Sequence, residues 1–166
     1  SSQTEQDTRT FAQFSKLPVF DPSSPEEAYE MIGEAFEFSE KYGTPVLFRP
    51  TTRVCHACAS ITLLPEVELP EPEGFIKDTM RWVIFPRTSY LNHIKIEKRN
   101  AELSDMLSDY PRNFVVNTGR TDGEKSIEGK TECTVRRGVA ASGISYAYTR
   151  EVIPDGVPLL KISTPY

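Results

Sequence analysis

The chain of 166 residues has room for one ordinary domain or two partial ones, and its 38% apolar and 26% charged residues predict a folded core. A net charge of −5, with 19 basic residues scattered among 24 acidic ones, argues against nucleic-acid binding. There is no run of roughly 20 apolar residues, no signal-peptide core and no disulfide framework among three cysteines, so we expect a soluble cytoplasmic protein without a membrane partner.

The opening of the chain has no initiator Met, and residues 10–14 read as a helix already under way. We therefore expect a piece of a longer polypeptide. Residues 17–20 predict a short buried strand, which Asp21 and Pro22 end.

The clearest predicted element is a helix from Ser24 to Tyr42. Ser24 is a typical N-cap, Pro25 suits the first helical position, and Glu27 completes a capping box. Apolar residues recur at steps of three and four and form one face: Ala28, Met31, Ile32, Ala35, Phe38 and Tyr42. A left-handed cap at Gly43 and a strand over residues 45–49 complete a βαβ unit with parallel strands and a right-handed crossover.

The middle of the chain is richer in proline and glutamate. Residues 65–74 predict a semi-rigid linker, and a helix follows from about Ser89 to Leu107. The apolar positions of that helix fall into two groups, so we expect it to pack weakly or to contact two partners. A brief strand is predicted over Phe114 to Val116.

The last part repeats the order of a parallel-sheet unit. We expect a strand over 134–139, a tight turn over 140–143, a helix over 144–152 and a strand over 159–162. The fold class predicted for the whole chain is therefore α/β, built from parallel-sheet βαβ units.

Cys55 and Cys58 form a Cys-x-x-Cys pair, a spacing that binds zinc or cycles as a dithiol. A zinc site needs four ligands, and the remaining candidates are Cys133 and His93. We therefore prefer ordinary packing and assign neither a metal ligand nor a catalytic residue.

Two further positions are suited to anions. Ser142 and Gly143, between a strand and a helix, can present backbone N–H groups to an anion, but we prefer to interpret them as a plain tight turn. Arg49 and Arg53 follow a predicted strand, where ligands of parallel sheets gather, and each can pair a ligand carboxylate or phosphate or form a structural salt bridge.

Several long segments, taken together and in order, resemble one known family. They are SSQTEQDTR at 1–9, DPSSPEEAY at 21–29, TPVLFRPTTRVCH at 44–56, YPRNF at 110–114, ASGISYAY at 141–148 and LKISTPY at 160–166. They look like the alpha subunits of indolepyruvate ferredoxin oxidoreductases, which belong to the thiamine-diphosphate-dependent 2-oxoacid:ferredoxin oxidoreductases.

The resemblance implies a large enzyme in which thiamine diphosphate attacks an aryl 2-oxo acid and carbon dioxide leaves. Electrons pass through iron–sulfur clusters to ferredoxin, and coenzyme A takes up the acyl group. It also implies magnesium as a cofactor, and as partners the remainder of the alpha subunit, a beta subunit and ferredoxin. An incomplete sheet with open edges further leads us to expect a homodimer.

By the same resemblance, residues 1–64 are the second half of a pyrimidine-binding domain. Residues 65–112 are a linker with a connecting helix, and residues 113–166 begin a transketolase C-terminal-like domain. Ser1, Ser2, Glu5 and Asp7 then lie near the cofactor or substrate cleft. The family's pyrimidine-contacting glutamate, its metal-binding motif and its cluster cysteines are not matched in this sequence. We thus expect a fragment that is inactive alone and binds no cofactor by itself.

A second hypothesis is a non-enzymatic α/β interaction module that has kept the fold without the chemistry. A third, weaker one is a metal or redox site at Cys55 and Cys58.

Overall fold

The computed structural model describes residues 8–66, 71, 74–116 and 138–166. Helices alternate with short strands in the order α1 (Thr8–Ser15), β1 (Val19–Phe20), α2 (Pro25–Tyr42), β2 (Leu47–Phe48), α3 (Thr52–His56), α4 (Thr79–Trp82), α5 (Pro86–Ser108), β3 (Phe114–Val116), β4 (Val139–Ser142), α6 (Gly143–Val152) and β5 (Leu159–Ile162). Mixed helices and strands with parallel pairs confirm the α/β class. Across the described part of the chain, no helix is both long and apolar enough to cross a membrane.

The predicted βαβ unit is confirmed by β1, α2 and β2. The two strands run parallel, although they pair over fewer residues than expected. Ser24 caps α2 by accepting a hydrogen bond from the Glu27 N–H at 3.2 Å, and Gly43 ends it with φ of 56°. The side chain of Glu27 departs from the predicted capping box: it accepts hydrogen bonds from the N–H and hydroxyl of Ser23, at 2.8 and 2.6 Å.

The hydrophobic core lies between β1, α2 and the end of α5. Phe20, Met31, Ala35 and Leu107 are buried there. One predicted core residue, Ile32, is instead 37% exposed, because the side of α2 to which it belongs is left uncovered.

The last part of the chain forms a three-stranded sheet in the order β3-β5-β4. β4 and β5 are parallel, as expected, and β3 is antiparallel to β5. The predicted tight turn over 140–143 is wrong: residues 140–142 lie in β4, whose pairing with β5 extends to Ser142 opposite Ile162, and the chain turns only at Gly143. Of the strand predicted over 134–139, residues 134–137 lie outside the described part.

The end of the chain is hydrogen-bonded to β1. The N–H groups of Val19 and Asp21 donate to the carbonyls of Tyr166 and Ser163, both at 2.8 Å. The Asn113 side chain accepts from the Ser163 N–H at 2.7 Å. The segment after β5 thus lies against the first strand, while the predicted domain division at residues 64 and 112 stays a prediction.

The predicted helix near Ser89 is confirmed as α5, which begins earlier, at Pro86. Its second half is anchored by Leu103 and Leu107, whereas most of its first half is exposed, in line with the expected weak packing. Residues 74–85, which precede it, are exposed throughout and are called the apolar arm below. Its large apolar side chains are Phe75, Ile76, Met80, Trp82, Val83, Ile84 and Phe85.

Candidate functional site at the strand ends

Three polar residues stand at the ends of strands and meet in space. Asp21 follows β1, Arg49 follows β2, and Ser142 is the last residue of β4. Together with Gly143, which begins α6, they are called the strand-end cluster. Because ligands in open α/β sheets bind beyond the carboxyl ends of strands, this is the place where a site is expected.

Asp21 is the centre of the strand-end cluster. Its side chain is fully buried, and its Oδ1 accepts a hydrogen bond from Arg49 Nη1 at 3.2 Å. Burial raises the pKa of the Asp21 carboxyl above its usual value, and the Arg49 guanidinium offsets only part of that effect. Asp21 Oδ2 is buried without a hydrogen-bond partner among the described residues. The carboxylate is thus held by Arg49 through Oδ1, and Ser142 and Arg9 also favour its charged form without overcoming the effect of burial.

The position of Gly143 requires a glycine, because a side chain would clash with Asp21 and the backbone has a positive φ. Its φ is +52°, and a Cβ placed on it would lie 2.7 Å from Oδ1 of Asp21. From the sequence, an anion site at the backbone N–H groups of Ser142 and Gly143 was the alternative to the preferred tight turn. In the structure the carboxylate next to this helix start belongs to the chain itself, at Asp21.

The first described residues are tied to the same place. Thr8 accepts a hydrogen bond from Arg49 Nε at 3.1 Å, and Arg9 Nη1 donates to the Ser142 hydroxyl at 3.2 Å. The predicted cofactor-binding residues Ser1, Ser2, Glu5 and Asp7 lie outside the described residues. The polypeptide that follows them is fixed at the strand ends.

Beside the strand-end cluster is a cleft of about 480 Å³. Its lining includes Arg9 and the hydroxyl-bearing residues Ser142, Ser145 and Thr149, together with Ile162 and Tyr166. A cation with several hydroxyl groups suits a carboxylate or phosphate, and the apolar lining residues suit a hydrocarbon or aromatic group.

Arg49 and Arg53, for which the sequence left open an anion ligand or a structural salt bridge, differ in their surroundings. Arg49 forms the buried salt bridge with Asp21, which is the structural alternative left open by the sequence. Arg53 is exposed on α3, with its guanidinium 6.0 Å from the centre of the Tyr148 ring. Neither side chain is among those that line the cleft.

A second buried ion pair joins α2 to β5. Lys161 donates to Glu27 Oε1, and both side chains are less than 10% exposed. Burial alone would raise the pKa of Glu27, but hydrogen bonds from Lys161 and Ser23 more than offset it and hold that pKa below its usual value. The pair is a structural tie with no opening to the cleft.

The segment YPRNF, which contributed to the resemblance, has a structural role. Arg112 binds the carboxylates of Glu30 and Glu34, and Tyr110 donates to Glu34. Burial, followed by the hydrogen bond to Glu34, raises the pKa of Tyr110. This segment therefore holds α2 against the turn that leads to β3.

The Cys-x-x-Cys pair is not part of the strand-end cluster. Cys55 is in the short helix α3, and Cys58 follows that helix; both are exposed. Within the ranges described, no three His, Cys, Asp or Glu side chains converge as metal ligands. Cys133 lies outside those ranges.

The sequence did not single out the apolar arm. Ile84 is 93% exposed, Phe75 79% and Trp82 51%. A signal was present in the density of large apolar residues between the acidic linker and Pro86. Composition alone does not say whether such a run is buried.

Comparison with known proteins gives one consistent result. The chain is 38% identical over 178 residues to the indolepyruvate oxidoreductase subunit IorA of Thermococcus kodakarensis. It is 36% identical over 176 residues to the subunit of the same name from Pyrococcus abyssi, and 35% identical over 169 residues to that of Methanothermobacter thermautotrophicus. Each match covers 100% of this chain and 25% of the relative, so the chain spans about a quarter of their length.

No family model and no solved structure matches the chain. The similarity to the IorA subunits nevertheless extends along the whole chain and recurs in several organisms at 30–38% identity. The resemblance seen in the sequence motifs is thereby confirmed: along its whole length the chain is similar to one part of the IorA subunits of indolepyruvate oxidoreductases.

Proposed function

We propose that the chain is part of a subunit that oxidatively decarboxylates aryl 2-oxo acids such as indolepyruvate. The observation that carries this proposal is the similarity to IorA subunits along the whole chain. Because the chain corresponds to a quarter of those relatives, the activity is proposed for the complete subunit, and this chain is proposed to be inactive alone.

The proposed reaction converts a 2-oxo acid and coenzyme A to an acyl-CoA and carbon dioxide, with two electrons passing through iron–sulfur clusters to ferredoxin. Thiamine diphosphate supplies the nucleophilic carbon and the electron sink for the loss of carbon dioxide. The protein's task is then to bind the anionic reactants, orient them and exclude water.

The described residues fit the anionic parts of such reactants. The cleft beside the strand-end cluster offers Arg9 and several hydroxyls, and Arg49 and Asp21 fix the strand ends around it. The metal ligands are not found in the described part of the chain. We propose that ligands for magnesium and for the iron–sulfur clusters come from other parts of the complete enzyme.

Ser1, Ser2, Glu5 and Asp7 are proposed to contact the cofactor or substrate. The support is the attachment of the next two residues: Thr8 is bonded to Arg49, and Arg9 to Ser142. We further propose that residues 1–64 are half of a pyrimidine-binding domain. Residues 113–166 are proposed to be the start of a transketolase C-terminal-like domain. The proposed setting is a cytoplasmic complex with a beta subunit and ferredoxin.

A chimeric enzyme tests this proposal. The matching quarter of the Thermococcus kodakarensis subunit is replaced by this chain, and indolepyruvate-dependent reduction of a viologen dye is measured with the beta subunit present. We expect a chimera that assembles and is active. An Arg9→Met chimera should assemble equally well but show a raised KM for indolepyruvate, because a cation that lines the cleft is lost. An assembled chimera without activity would contradict the proposal.

The apolar arm gives a specific reason to keep the second hypothesis, a non-enzymatic interaction module. The same chimera separates the two, because a module would support assembly of the complex and no catalysis. Activity that depends on Arg9 would exclude it.

A further inference from the structure

The apolar arm exposes more apolar surface than a folded chain normally leaves uncovered. Seven large apolar side chains within residues 75–85 are each at least 50% exposed. Contiguous patches of this kind mark interaction sites in soluble proteins.

The apolar arm has a defined conformation of its own. The Asp78 carboxylate caps α4 by accepting from the N–H groups of Met80 and Arg81, at 2.9 and 3.2 Å. Trp82 Nε1 donates to the Ile76 carbonyl at 3.1 Å, and the Arg81 guanidinium lies 4.6 Å from the centre of the Trp82 ring. Several polar groups of the arm are thus hydrogen-bonded within it, while its apolar side chains remain mostly exposed.

The same chain also has an apolar groove. It lies between α1 and the second half of α5, has a volume of about 340 Å³, and is lined by side chains that include Leu17, Leu103, Leu107 and Tyr166. Glu97 and Lys16, which form an ion pair with each other, also stand among its lining residues.

We propose that the apolar arm docks in this groove of a second copy of the chain. The arm ends where α5 begins, at Pro86, and the groove lies along α5 from Glu97 to Ser108. If two α5 helices pair antiparallel about a two-fold axis, the start of each lies beside the end of the other. Each arm then reaches the partner's groove, and the exchange is reciprocal.

Charge and area both favour this occupant. Lys77 and Arg81 outnumber Asp78 in the arm, which therefore carries a net positive charge, while the whole chain carries −5. Seven side chains offering on the order of 100 Å² each give about 700 Å² per arm, or about 1,400 Å² for two. Together with the groove surfaces this reaches the size of a stable dimer interface.

Sedimentation of the full chain over a range of concentrations tests the proposal. We expect a dimer of twice 18.7 kDa. Ile84→Asp should raise the dissociation constant by about 30-fold or more, the effect of losing a central interface residue. Val152→Asp, at a site 79% exposed on α6, is the matched control and should leave the constant unchanged.

A second variant tests the groove independently of the arm. Ser104 is exposed and lines the groove, so Ser104→Arg should block it without disturbing the core. Each variant alone should be largely monomeric. A mixture of the two should form heterodimers, because one intact arm then meets one intact groove.

Trp82 is the chain's one tryptophan, so its fluorescence should shift to shorter wavelength as the dimer forms. A wild-type chain that stays monomeric at high concentration would overturn the proposal. So would a dimer that Ile84→Asp leaves intact. A dimer sensitive to Ile84→Asp but indifferent to Ser104→Arg would overturn the groove as the docking site.

Discussion

The buried polar interior and the apolar arm differ in whether their side chains have partners suited to them. Inside, Asp21 is held by Arg49, and Glu27 by Lys161, so charged groups that are costly to bury have partners from distant parts of the chain. In the arm, apolar side chains that gain from burial are left exposed. The folded body therefore depends on contacts within this chain, whereas the arm is left uncovered by the part of the chain that the structure describes.

The largest expected effect comes from breaking the buried pair. Lys161→Met leaves the Glu27 carboxylate buried without its cation and should lower the free energy of unfolding by about 3–5 kcal/mol. The control is Lys16→Met, because the Lys16–Glu97 pair is 38% and 49% exposed. That control should cost no more than about 1 kcal/mol. Equal losses for the two variants in urea unfolding would contradict the distinction between interior and surface.

The next effect concerns the tight contact at Gly143. Gly143→Ala places a methyl group against Asp21 and imposes a positive φ on a residue with a side chain. We expect a loss of about 2–4 kcal/mol, from backbone strain and overpacking. The matched control is Gly33→Ala within α2, where the added Cβ meets no atom within 4 Å. It should stabilise the chain by about 0.5–1 kcal/mol, and a Gly143→Ala variant as stable as the control would refute the required glycine.

A smaller effect is the pH dependence caused by Asp21. Its pKa is raised in the folded state, so the folded chain binds that proton more tightly than the unfolded chain does. The stability this provides is present at acid pH and is lost as the pH rises above the usual value of 3.8 through the raised pKa. Thermal unfolding should show that the wild type loses stability relative to the Asp21→Asn variant as the pH rises from 3.8 through the raised pKa of Asp21. Parallel curves would show that the Asp21 pKa is not raised.

The smallest expected effect is on the stability of the monomer when the arm is changed. Ile84→Ser, measured at concentrations where the chain is monomeric, should alter the free energy of unfolding by less than about 0.5 kcal/mol. Phe20→Ala in the core should cost about 3–5 kcal/mol. A large loss for Ile84→Ser would mean that the arm packs against its own chain.

The elements that the sequence predicted well are those with local signals. Helix α2 has its cap at Ser24, a periodic apolar face and a glycine stop at Gly43, and all three are read from neighbouring residues. The parallel pairing of β1 with β2 followed from the order of the elements.

What the sequence could not predict depends on contacts between distant residues. Glu27 and Lys161 are separated by 134 positions in the sequence. From its neighbouring residues, Glu27 was predicted only as part of a helix cap. The close contact between Asp21 and Gly143 also joins residues that are distant in sequence. A tight turn was expected over residues 140–143, but β4 continues to Ser142 because it pairs with β5. The arm was missed because exposure depends on what the rest of the fold covers. The predicted cofactor residues in the opening segment lie outside the described residues and remain a proposal.

The proposed division of the cofactor site between this chain and the rest of the subunit is tested most directly by calorimetry. Thiamine diphosphate at millimolar concentration, with magnesium, is titrated into two samples: this chain alone, and the chimeric subunit that carries it. We predict saturable binding by the chimera and none by the isolated chain. Saturable binding by these 166 residues alone would contradict the proposed division.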